Sequence, residues 1–463
     1  MPDRDPNFLF VMADDHAAHA ISAYGSHINK TPGIDRLADG GMRFDNCFCV
    51  NSICSPSRAA ILTGTYNHVN GVTDLDTLFD GRQVTFPKLL QAAGYQTALV
   101  GKWHLGHGGV HDPTGFDYWD VLPDQGNYHN PELIRWERGV TRDDEGERRV
   151  VAGYVTDVIT DLALDWLHRR DPARPFLLKL HHKAPHRPWQ PDDAHALLYE
   201  ELEVPAPPTF DDDYSHRGSA ARNARMRIDR DLGLEDLKVP VPDRLSPAES
   251  KHWKFQRYIK DYLRCVASID DNLMRVLDWL DAQGLSGDTV VLYTSDQGFF
   301  LGDHGWYDKR FMYEESLRMP LLLRYPREVR AGSMCTDMML NVDIAPTILD
   351  LAGVGIPRAM QGHSVRPLMH ERTPADWRTS MYYRYWMHLD SSHAVQAHYG
   401  VRTGRYKLIR YDGKGDGPEW ELFDLEDDPV EIHSVYDDPA YATLRAELTD
   451  ELHRLQAEVG DAP

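Results

Sequence analysis

The chain has 463 residues, of which 42% are hydrophobic, and its formal net charge is -22. This length and apolar content suffice for one large α/β domain and a smaller appendage. The acidic balance argues against nucleic acid as a partner. No run approaches the roughly 20 apolar residues of a membrane span, so a membrane partner is not expected either.

The first predicted element is a buried parallel strand from Asn7 to Met12, an apolar run that stops at Asp14 and Asp15. Adjacent carboxylates supply hard oxygen donors for a metal ion. Taken alone, the same pair also fits a loop or a helix cap.

The pentapeptide CSPSR at residues 54–58 lies between a strand-like run, Met42 to Val50, and a helix-like run, Arg58 to Gly64. A thiol at a helix N-terminus beside the Arg58 cation is expected to be acidic, because both favour the thiolate. The C-x-P-x-R pattern can also act as a modification signal. Without these neighbours, Cys54 would be interpreted as a buried structural cysteine.

The motif GKWHLG at residues 101–106 follows an apolar strand, Thr97 to Val100. Lys102 and His104 lie two positions apart, so on an extended segment they point to the same side. Alone, such a pair also fits two solvated side chains.

A strand from Pro175 to Leu180 precedes the histidine-rich segment HHKAPHRP at residues 181–188. Three histidines in six residues suggest zinc, but Pro185 disfavours a helical ligand pair of His182 and His186. The spacing matches no zinc finger, and zinc is therefore disfavoured.

The middle of the chain is Pro-rich and charged from Pro205 to Pro247, and we predict a mobile loop or a substrate lid there. The arginines between Arg217 and Arg230 either face an anionic substrate or, as we favour, solvate a helix face. A long helix then follows Ser246 and Pro247 and runs to Gly284, with apolar positions three and four apart that pack on the sheet.

A second buried strand, Thr289 to Thr294, stops at Asp296 and Gln297. Ligands of open α/β sheets bind outside the carboxyl ends of the strands, so these side chains and the pair Asp14 and Asp15 are predicted to converge. Four oxygen ligands without a histidine suit Ca2+ or Mg2+ better than zinc.

Basic side chains are predicted beside this acidic group. Lys309 follows the second strand end, and Arg58, Lys102, His104 and His186 come from the other motifs. Cations next to an acidic metal site suit the hydrolysis of a small tetrahedral oxyanion ester.

The main domain is predicted to close near His370. This gives a catalytic α/β domain at residues 1–370, with a large mixed, mostly parallel sheet sandwiched by helices, and a C-terminal α+β subdomain at residues 371–463. Short strand signals between residues 399 and 423 predict a smaller antiparallel sheet followed by a terminal helix.

With these motifs in this order, the chain resembles a type I, formylglycine-dependent sulfatase of the alkaline phosphatase superfamily. The resemblance runs from Asp14 to WELFDLEDDP at residues 420–429, and CSPSR and GKWHLG are its most specific motifs. It implies a sulfuric ester hydrolase whose Cys54 is oxidised by a formylglycine-generating enzyme that reads the Pro and Arg of the motif. The hydrated aldehyde attacks sulfur, and its second hydroxyl later helps to expel sulfate.

The resemblance also implies the metal ligands. Asp14, Asp15, Asp296 and Gln297 would hold Ca2+, with Mg2+ as the alternative, and the diol formed at Cys54 would touch the same ion. Gln297 departs from the Asn or His often found at its position, but it keeps a carbonyl oxygen.

The catalytic roles are implied in the same way. Arg58 would steady the diol, while Lys102 and His104 would orient it and assist its deprotonation. Lys309 and His186 would face the sulfate, and His186 would protonate the leaving oxygen.

Residues 181–191 and 294–320 look most like segments of enzymes that act on sulfated carbohydrates, including N-acetylglucosamine 6-sulfate. Five residues are candidates for a sugar or aryl subsite, although packing is the commoner role of such side chains: Trp189, Tyr307, His363, Trp386 and His388. Two alternatives stay open. They are phosphonate monoester or phosphodiester hydrolysis on the same scaffold, and a noncatalytic glycan-binding relative whose Cys54 stays a thiol.

Five cysteines in a chain of this size form no disulfide framework. Because Cys47, Cys49, Cys265 and Cys335 also lack metal-ligand spacing, reduced thiols are expected. No basic and apolar leader precedes the Asn7 strand, and we expect a cytoplasmic protein. The oligomeric state is left open.

Overall fold

The computed structural model describes residues 5–140, 146–413 and 417–461. Its strands are mostly short and buried. In chain order they are β1 (Asn7–Ala13), β2 (Met42–Phe44), β3 (Cys47–Phe48), β4 (Gln96–Lys102), β5 (Tyr118–Leu122), β6 (Glu132–Glu137), β7 (Glu147–Val150), β8 (Phe176–His181), β9 (Thr289–Ser295), β10 (Phe300–Leu301), β11 (Tyr307–Asp308), β12 (Leu321–Arg324), β13 (Ser333–Cys335), β14 (Met339–Leu340), β15 (Ser380–Tyr385), β16 (His398–Thr403), β17 (Tyr406–Tyr411) and β18 (Glu419–Asp424).

The helices range from single turns to ten turns. In chain order they are α1 (Pro32–Asp39), α2 (Cys54–Thr63), α3 (Asn67–Asn70), α4 (Phe86–Ala92), α5 (Val155–Arg169), α6 (Ser219–Asn223), α7 (Leu234–Leu237), α8 (Pro247–Ala282), α9 (Glu314–Leu317), α10 (Ile344–Leu351), α11 (Arg366–Met369) and α12 (Ala442–Val459). No helix among the described residues is long and apolar enough to cross a membrane.

The large sheet has ten strands in the order β13-β2-β12-β9-β1-β8-β4-β5-β6-β7. Its centre is parallel, because β9, β1, β8, β4 and β5 all pair in the same direction. Antiparallel pairs occur on both sides, at β12 and at β6 and β7. The predicted mixed, mostly parallel sheet is confirmed.

Strand β1 is buried on both faces, as an apolar run at the centre of a parallel sheet should be. Phe8, Phe10 and Met12 pack in one core with α2, α4, α10 and the C-terminal strands. Leu9 and Val11 pack in a second core with α1, α5 and α8. Helices therefore sandwich the sheet, as predicted.

The predicted long helix is α8, which ends two residues before the expected Gly284. Its start is stabilised by a capping box. The Ser246 hydroxyl accepts a hydrogen bond from the Glu249 N–H at 3.3 Å, and the Glu249 carboxylate accepts one from the Ser246 N–H at 2.8 Å.

Two local predictions are wrong in their bounds. The strand-like run before Cys54 forms two separate short strands, β2 and β3. Helix α2 begins at Cys54 itself, four residues before the predicted start at Arg58. Pro56 does not prevent this, because the first turn of a helix needs no N–H donor at that position.

The segment from Pro205 to Pro247 packs against the protein. Phe210, Tyr214 and Arg217 in it are buried. Its arginines do not share one helix face, because α6 covers only five residues, so the interpretation that we favoured is wrong. Arg227 pairs instead with a neighbouring aspartate at 2.6 Å.

Strands β15 to β18 form the predicted C-terminal antiparallel sheet in simple chain order. Helix α12 follows it and packs on β15 and β16. This part of the fold class is confirmed, and the domain boundary near His370 stays a prediction. All five cysteines are buried free thiols, as expected for Cys47, Cys49, Cys265 and Cys335.

Candidate active site

The candidate active site lies at the carboxyl ends of β9, β1, β8 and β4. These strands are parallel neighbours, so the residues that follow them meet at one edge of the sheet. The backbone N–H of Asp15 after β1 donates a hydrogen bond to Asp296 Oδ1 after β9 at 3.1 Å. The predicted convergence of the two acidic strand ends is therefore present.

Three buried carboxylates form the acidic cluster of this site. Oxygens of Asp14, Asp15 and Asp296 lie within 4.8 Å of one another. Burial and the nearby Asp14 charge raise the pKa of Asp296 to about 7. Burial also raises the pKa of Asp15 to about 6, against the opposing charge of Lys309. The pKa of Asp14, in contrast, lies well below its usual range. Burial opposes this shift, and the charge of Lys102 contributes to it.

Two oxygens of the site, Asp14 Oδ1 and Gln297 Oε1, have no hydrogen-bond partner in the part of the chain that the structure describes. The Gln297 amide nitrogen donates to Asp15, which leaves the amide oxygen without a donor. Buried oxygens in this state are rare and are suitable ligands for a hard divalent cation. Asp14, Asp15, Asp296 and Gln297 therefore fit Ca2+ or Mg2+ by donor type and by position.

Cys54 begins α2 and is 1% exposed. Burial raises the pKa of its thiol to about 12, so the expected acidic thiol is wrong. Desolvation outweighs the helix dipole, and the Arg58 guanidinium is engaged elsewhere: it contacts Asp296 at 2.9 Å and the Lys102 carbonyl at 2.9 Å. As an unmodified thiol, Cys54 is a poor nucleophile at neutral pH.

A second cluster links Cys54 to the acids. The Cys54 sulfur, an Asp14 oxygen and a His186 ring nitrogen lie within 4.8 Å of one another. His186 Nδ1 lies 2.8 Å from the Arg187 carbonyl, so Nδ1 carries a proton and Nε2 faces Asp15 at 3.7 Å. Burial and the neighbouring lysine charge hold the pKa of His186 well below its usual range.

Two buried lysines face the acidic cluster. Lys102 pairs with Asp14, and Lys309 Nζ lies 2.7 Å from each oxygen of Asp15. Burial acts to lower the pKa of Lys309, but the Asp15 charge opposes this effect and contributes to a pKa well above the usual range. With Arg58, three cations balance three carboxylates. A divalent cation would therefore leave an excess of positive charge for an anionic ester.

Lys102 and His104 meet through a residue that the sequence did not indicate, Gln125. Strand β4 ends at Lys102, and His104 has a φ of +56°, so the two do not lie on one extended segment. Lys102 donates to the Gln125 amide oxygen, and the Gln125 amide nitrogen lies 3.1 Å from His104 Nε2. A single glutamine in a turn has no sequence signature beyond its position after a strand.

Asp308 and Arg310, on either side of Lys309, were also missed. Both have a positive φ, +82° and +91°, which is uncommon for residues other than glycine. The Arg310 guanidinium lies 3.3 Å from Asp308 and 3.3 Å from His393, which in turn lies 3.3 Å from Asp308. These three buried side chains form a polar cluster beside Lys309, and adjacency to Lys309 was the available sequence signal.

The five proposed subsite residues make the contacts of packing residues. Trp189 and Tyr307 are buried, and their rings are perpendicular with centroids 6.3 Å apart. His363 and Trp386 each contact an arginine side chain, and His388 accepts a hydrogen bond from a backbone N–H.

Two family models match the chain. The model described as Sulfatase matches residues 6–354, and the model described as N-sulphoglucosamine sulphohydrolase, C-terminal, matches residues 302–458. The first match covers well over half of the chain. Fold and site therefore define a hydrolase of sulfate esters, and the chain belongs to the sulfatase family.

Individual relatives of the chain support the same family. The N-acetylglucosamine-6-O-sulfatase of Bacteroides thetaiotaomicron is 42% identical over 501 aligned residues, which cover 98% of this chain and 87% of that protein. The solved structure of BT4656 in complex with its substrate D-glucosamine-2-N,6-O-disulfate matches with a TM-score of 0.92 and 41% identity, covering 99% of each chain. The phosphonate monoester hydrolase of Silicibacter pomeroyi shares the fold, with a TM-score of 0.77 at 22% identity, covering 98% of this chain and 95% of that chain.

The resemblance and the enzyme class inferred from the sequence are thereby confirmed. The family match rests on nearly the whole chain, from residue 6 to residue 458. The roles of the individual site residues stay predictions.

Proposed function

We propose that this sulfatase hydrolyses the 6-O-sulfate ester of a glucosamine unit, with a formylglycine formed from Cys54 as nucleophile and a bound Ca2+ ion. Support for the substrate comes from the two relatives above 40% identity. One is named for N-acetylglucosamine 6-O-sulfate, and the other binds D-glucosamine-2-N,6-O-disulfate. A sulfate on O6 of a glucosamine is the chemistry that they share.

The position of Cys54 carries the proposal. It lies between the acidic cluster and His186, with donor atoms of Asp14, Cys54 and His186 within 4.8 Å of one another. The chemistry that formylglycine supplies at this place is a hydrated aldehyde, a stronger nucleophile than the buried thiol and one that can release sulfate. A formylglycine-generating enzyme that reads the CSPSR motif is the partner that this requires.

Asp14, Asp15, Asp296 and Gln297 would hold Ca2+, with Mg2+ as the alternative. All four present oxygen atoms, and Asp14 Oδ1 and Gln297 Oε1 accept no hydrogen bond from the described residues, so a cation can bind them without breaking one. The chemistry that a divalent cation supplies is charge stabilisation and a lower pKa of a neighbouring hydroxyl. Arg58 keeps Asp296 in place through its contact at 2.9 Å.

Lys309 binds and orients the sulfate group, and we extend the role of Lys102 from orienting the diol to binding the same sulfate. Each pairs with a carboxylate that is also a proposed metal ligand, Asp14 for Lys102 and Asp15 for Lys309. A carboxylate shared with a divalent cation binds an ammonium group less strongly. Both lysines can then direct charge-assisted hydrogen bonds to an anionic ester.

His186 protonates the leaving oxygen. Its Nδ1–H donates to the Arg187 carbonyl, which orients Nε2 towards the acidic cluster. A bound sulfate adds negative charge beside the ring and favours the imidazolium form that donates from Nε2. A sugar alkoxide is a poor leaving group and depends on this proton, whereas an aryl oxide depends on it less.

Asp308, Arg310 and His393 recognise hydroxyl groups of the sugar. They combine one carboxylate acceptor with guanidinium and imidazole donors. Asp308 and Arg310 flank Lys309 in the sequence, and His393 contacts both of them. The positive φ angles of Asp308 and Arg310 mark a backbone held under strain by the tertiary structure, which is common at ligand sites. A buried polar group of this kind suits a carbohydrate better than an aryl ester.

The decisive experiment uses protein coexpressed with a formylglycine-generating enzyme. Peptide mass spectrometry across Cys54 is expected to detect an aldehyde or its hydrate. Sulfate release from glucosamine 6-sulfate and its N-acetyl form should depend on Ca2+ and exceed turnover of a phosphonate monoester. Dominant phosphonate turnover would overturn the sulfate-ester assignment. A thiol that persists, with glycan binding but no turnover, would establish a noncatalytic relative.

A further inference from the structure

Gln125 connects the two polar side chains of the GKWHLG motif without belonging to a motif itself. It lies in the turn after β5 and is half-buried. Its amide oxygen accepts a hydrogen bond from Lys102 Nζ, and its amide nitrogen lies 3.1 Å from His104 Nε2.

The contact with Lys102 determines which end of the Gln125 amide faces His104. A lysine ammonium has three N–H donors and no acceptor, so the atom against it must be the amide oxygen. The NH2 group then lies against His104, and it can only donate. His104 Nε2 must therefore be an acceptor without a proton.

The other ring nitrogen of His104 faces Ser55. His104 Nδ1 lies 3.3 Å from Ser55 Oγ, and Ser55 follows Cys54 in the first turn of α2. A neutral imidazole carries one proton, so that proton is on Nδ1. His104 therefore presents an N–H donor, not a lone pair, to the end of α2 that carries the nucleophile.

The charges around His104 favour its neutral state. Burial is the largest influence, and Lys102, Arg58 and Lys309 act in the same direction, whereas Asp14 opposes them. Together they hold the pKa of His104 well below its usual range. Because Gln125 is uncharged, it selects between the two neutral tautomers and does not change the net charge.

We infer that Gln125 is a positioning residue that keeps the His104 ring in the tautomer with its proton on Nδ1. The inference rests on the proposed function, in which the nucleophile forms at Cys54, next to the Ser55 hydroxyl that His104 faces. In the resting enzyme His104 orients the nucleophile through Ser55 as a hydrogen-bond donor. It is not poised to remove a proton, as the family resemblance implied for it.

The direct test is 15N NMR of the full chain with labelled histidine rings, assigned by difference with His104→Gln among the 23 histidines. It works on the unconverted thiol form, so it does not depend on turnover. We expect a protonated Nδ1 and a bare Nε2. Gln125→Glu replaces the amide NH2 group by a second carboxylate oxygen. An acceptor then faces His104 Nε2, so Nε2 should gain a proton. A protonated Nε2 in the parent, or no change in Gln125→Glu, would overturn the inference.

Two further variants make this test robust. Gln283→Glu makes the same substitution at an exposed residue after α8 and should leave the His104 signals unchanged. If Gln125→Glu does not fold, Gln125→Met removes the amide at similar volume and should let His104 populate both tautomers. A single Nδ1-protonated form in Gln125→Met would count against the inference.

Kinetics of the converted enzyme separate positioning from general damage. Gln125→Glu should lower kcat at least about tenfold, change KM less than about twofold and move the acid limb of the pH profile up by about one unit, because a carboxylate stabilises the imidazolium. Equal losses in Gln125→Glu and Gln125→Met without a pH shift would show a structural role only. No turnover in any variant or the parent, with the expected NMR signals, would refute the proposed function but not the role of Gln125.

Discussion

Two of the places where this protein buries charged side chains differ in how the charges are paired. One is the acidic cluster at the strand ends. The other, here called the interface network, joins α9 to the C-terminal sheet and the segment after it, and it consists of Glu314, Arg402, Lys407 and Glu431. A raised carboxyl pKa does not distinguish them, because burial raises the pKa of both Asp296 and Glu431 to about 7.

Pairing does distinguish them. In the interface network, Lys407 Nζ lies 2.9 Å from Glu314 and 2.6 Å from Glu431, and Arg402 donates twice to Glu314 at 3.1 Å. At the strand ends, Gln297 Oε1 accepts no hydrogen bond within the described residues, and the Arg58 guanidinium is 3.7 Å from Asp14 Oδ1, a longer contact than the ion pairs of Lys407. Charges that neighbours satisfy hold parts of the fold together, whereas oxygens left without a donor are available to a ligand.

The largest effect is expected for Cys54→Ala at the strand-end site. Turnover should fall below detection, because the methyl group cannot become an aldehyde nucleophile. Sulfate release measures this, and a melting temperature within about 4 °C of the parent serves as the folding control. Any residual Ca2+-dependent turnover would mean that another group attacks sulfur.

Asp296→Asn should lower turnover about a hundredfold or more, because it removes a proposed metal ligand. The protein should stay folded, since the amide oxygen that replaces the carboxylate can still accept a hydrogen bond from the Arg58 guanidinium. Ca2+ titrations followed by thermal unfolding measure both effects. An unchanged response to Ca2+ would exclude Asp296 as a ligand.

Lys407→Met should lower the stability of the protein and leave its turnover intact, the reverse of what Asp296→Asn should do. Removing one partner of a buried ion pair typically costs about 3–5 kcal/mol of unfolding free energy, here because Glu314 and Glu431 lose their shared counterion. Turnover per folded molecule should stay near the parent value. Denaturant unfolding and kcat on the same sample check this, and a specific loss of kcat would show that the interface network serves catalysis.

His186→Ala should reduce hydrolysis of a sugar sulfate by about 10²–10⁴-fold, the usual contribution of general acid–base catalysis. An aryl sulfate should lose much less, because its leaving group needs no proton. The ratio of the two kcat/KM losses is the measurement. Equal losses on both substrates would contradict the proton-donor role.

The smallest predicted effect concerns pH. Burial raises the pKa of Asp15 to about 6 and of Asp296 to about 7, above the unfolded value near 3.9. Their favourable contribution to stability is therefore present at low pH and lost as the pH rises through about 6 to 7. Added Ca2+ should raise the melting temperature more at pH 8 than at pH 5. Equal shifts at both pH values would contradict this linkage.

Much of the site was predictable because each polar group directly follows an apolar run. Asp14 and Asp296 end strands that are buried on both faces, and a strand end is visible in sequence as a change from apolar to polar. Gln125 and Arg310 were not predictable in this way. Their importance comes from contacts with residues of other motifs, which no local pattern records.

The environment of Cys54 was also beyond local reasoning. Helix position and charge favour an acidic thiol, yet complete burial raises the pKa of Cys54 to about 12. Burial is a property of everything packed around a residue, and Arg58 contacts Asp296 instead of the sulfur. The helix dipole and the Arg58 charge therefore predict a pKa shift of Cys54 in the wrong direction.

The sequence by itself determined the elements and their buried faces, because a run of apolar residues ending in a carboxylate or an amide requires both a core and a polar edge. The tertiary structure decided the neighbours. The order β9-β1-β8-β4 brings positions 296, 14, 186 and 102 to one edge, although they are distant along the chain. Strand order depends on how both sheet faces are covered by helices, and that packing energy is shared among many residues instead of being encoded in any one segment.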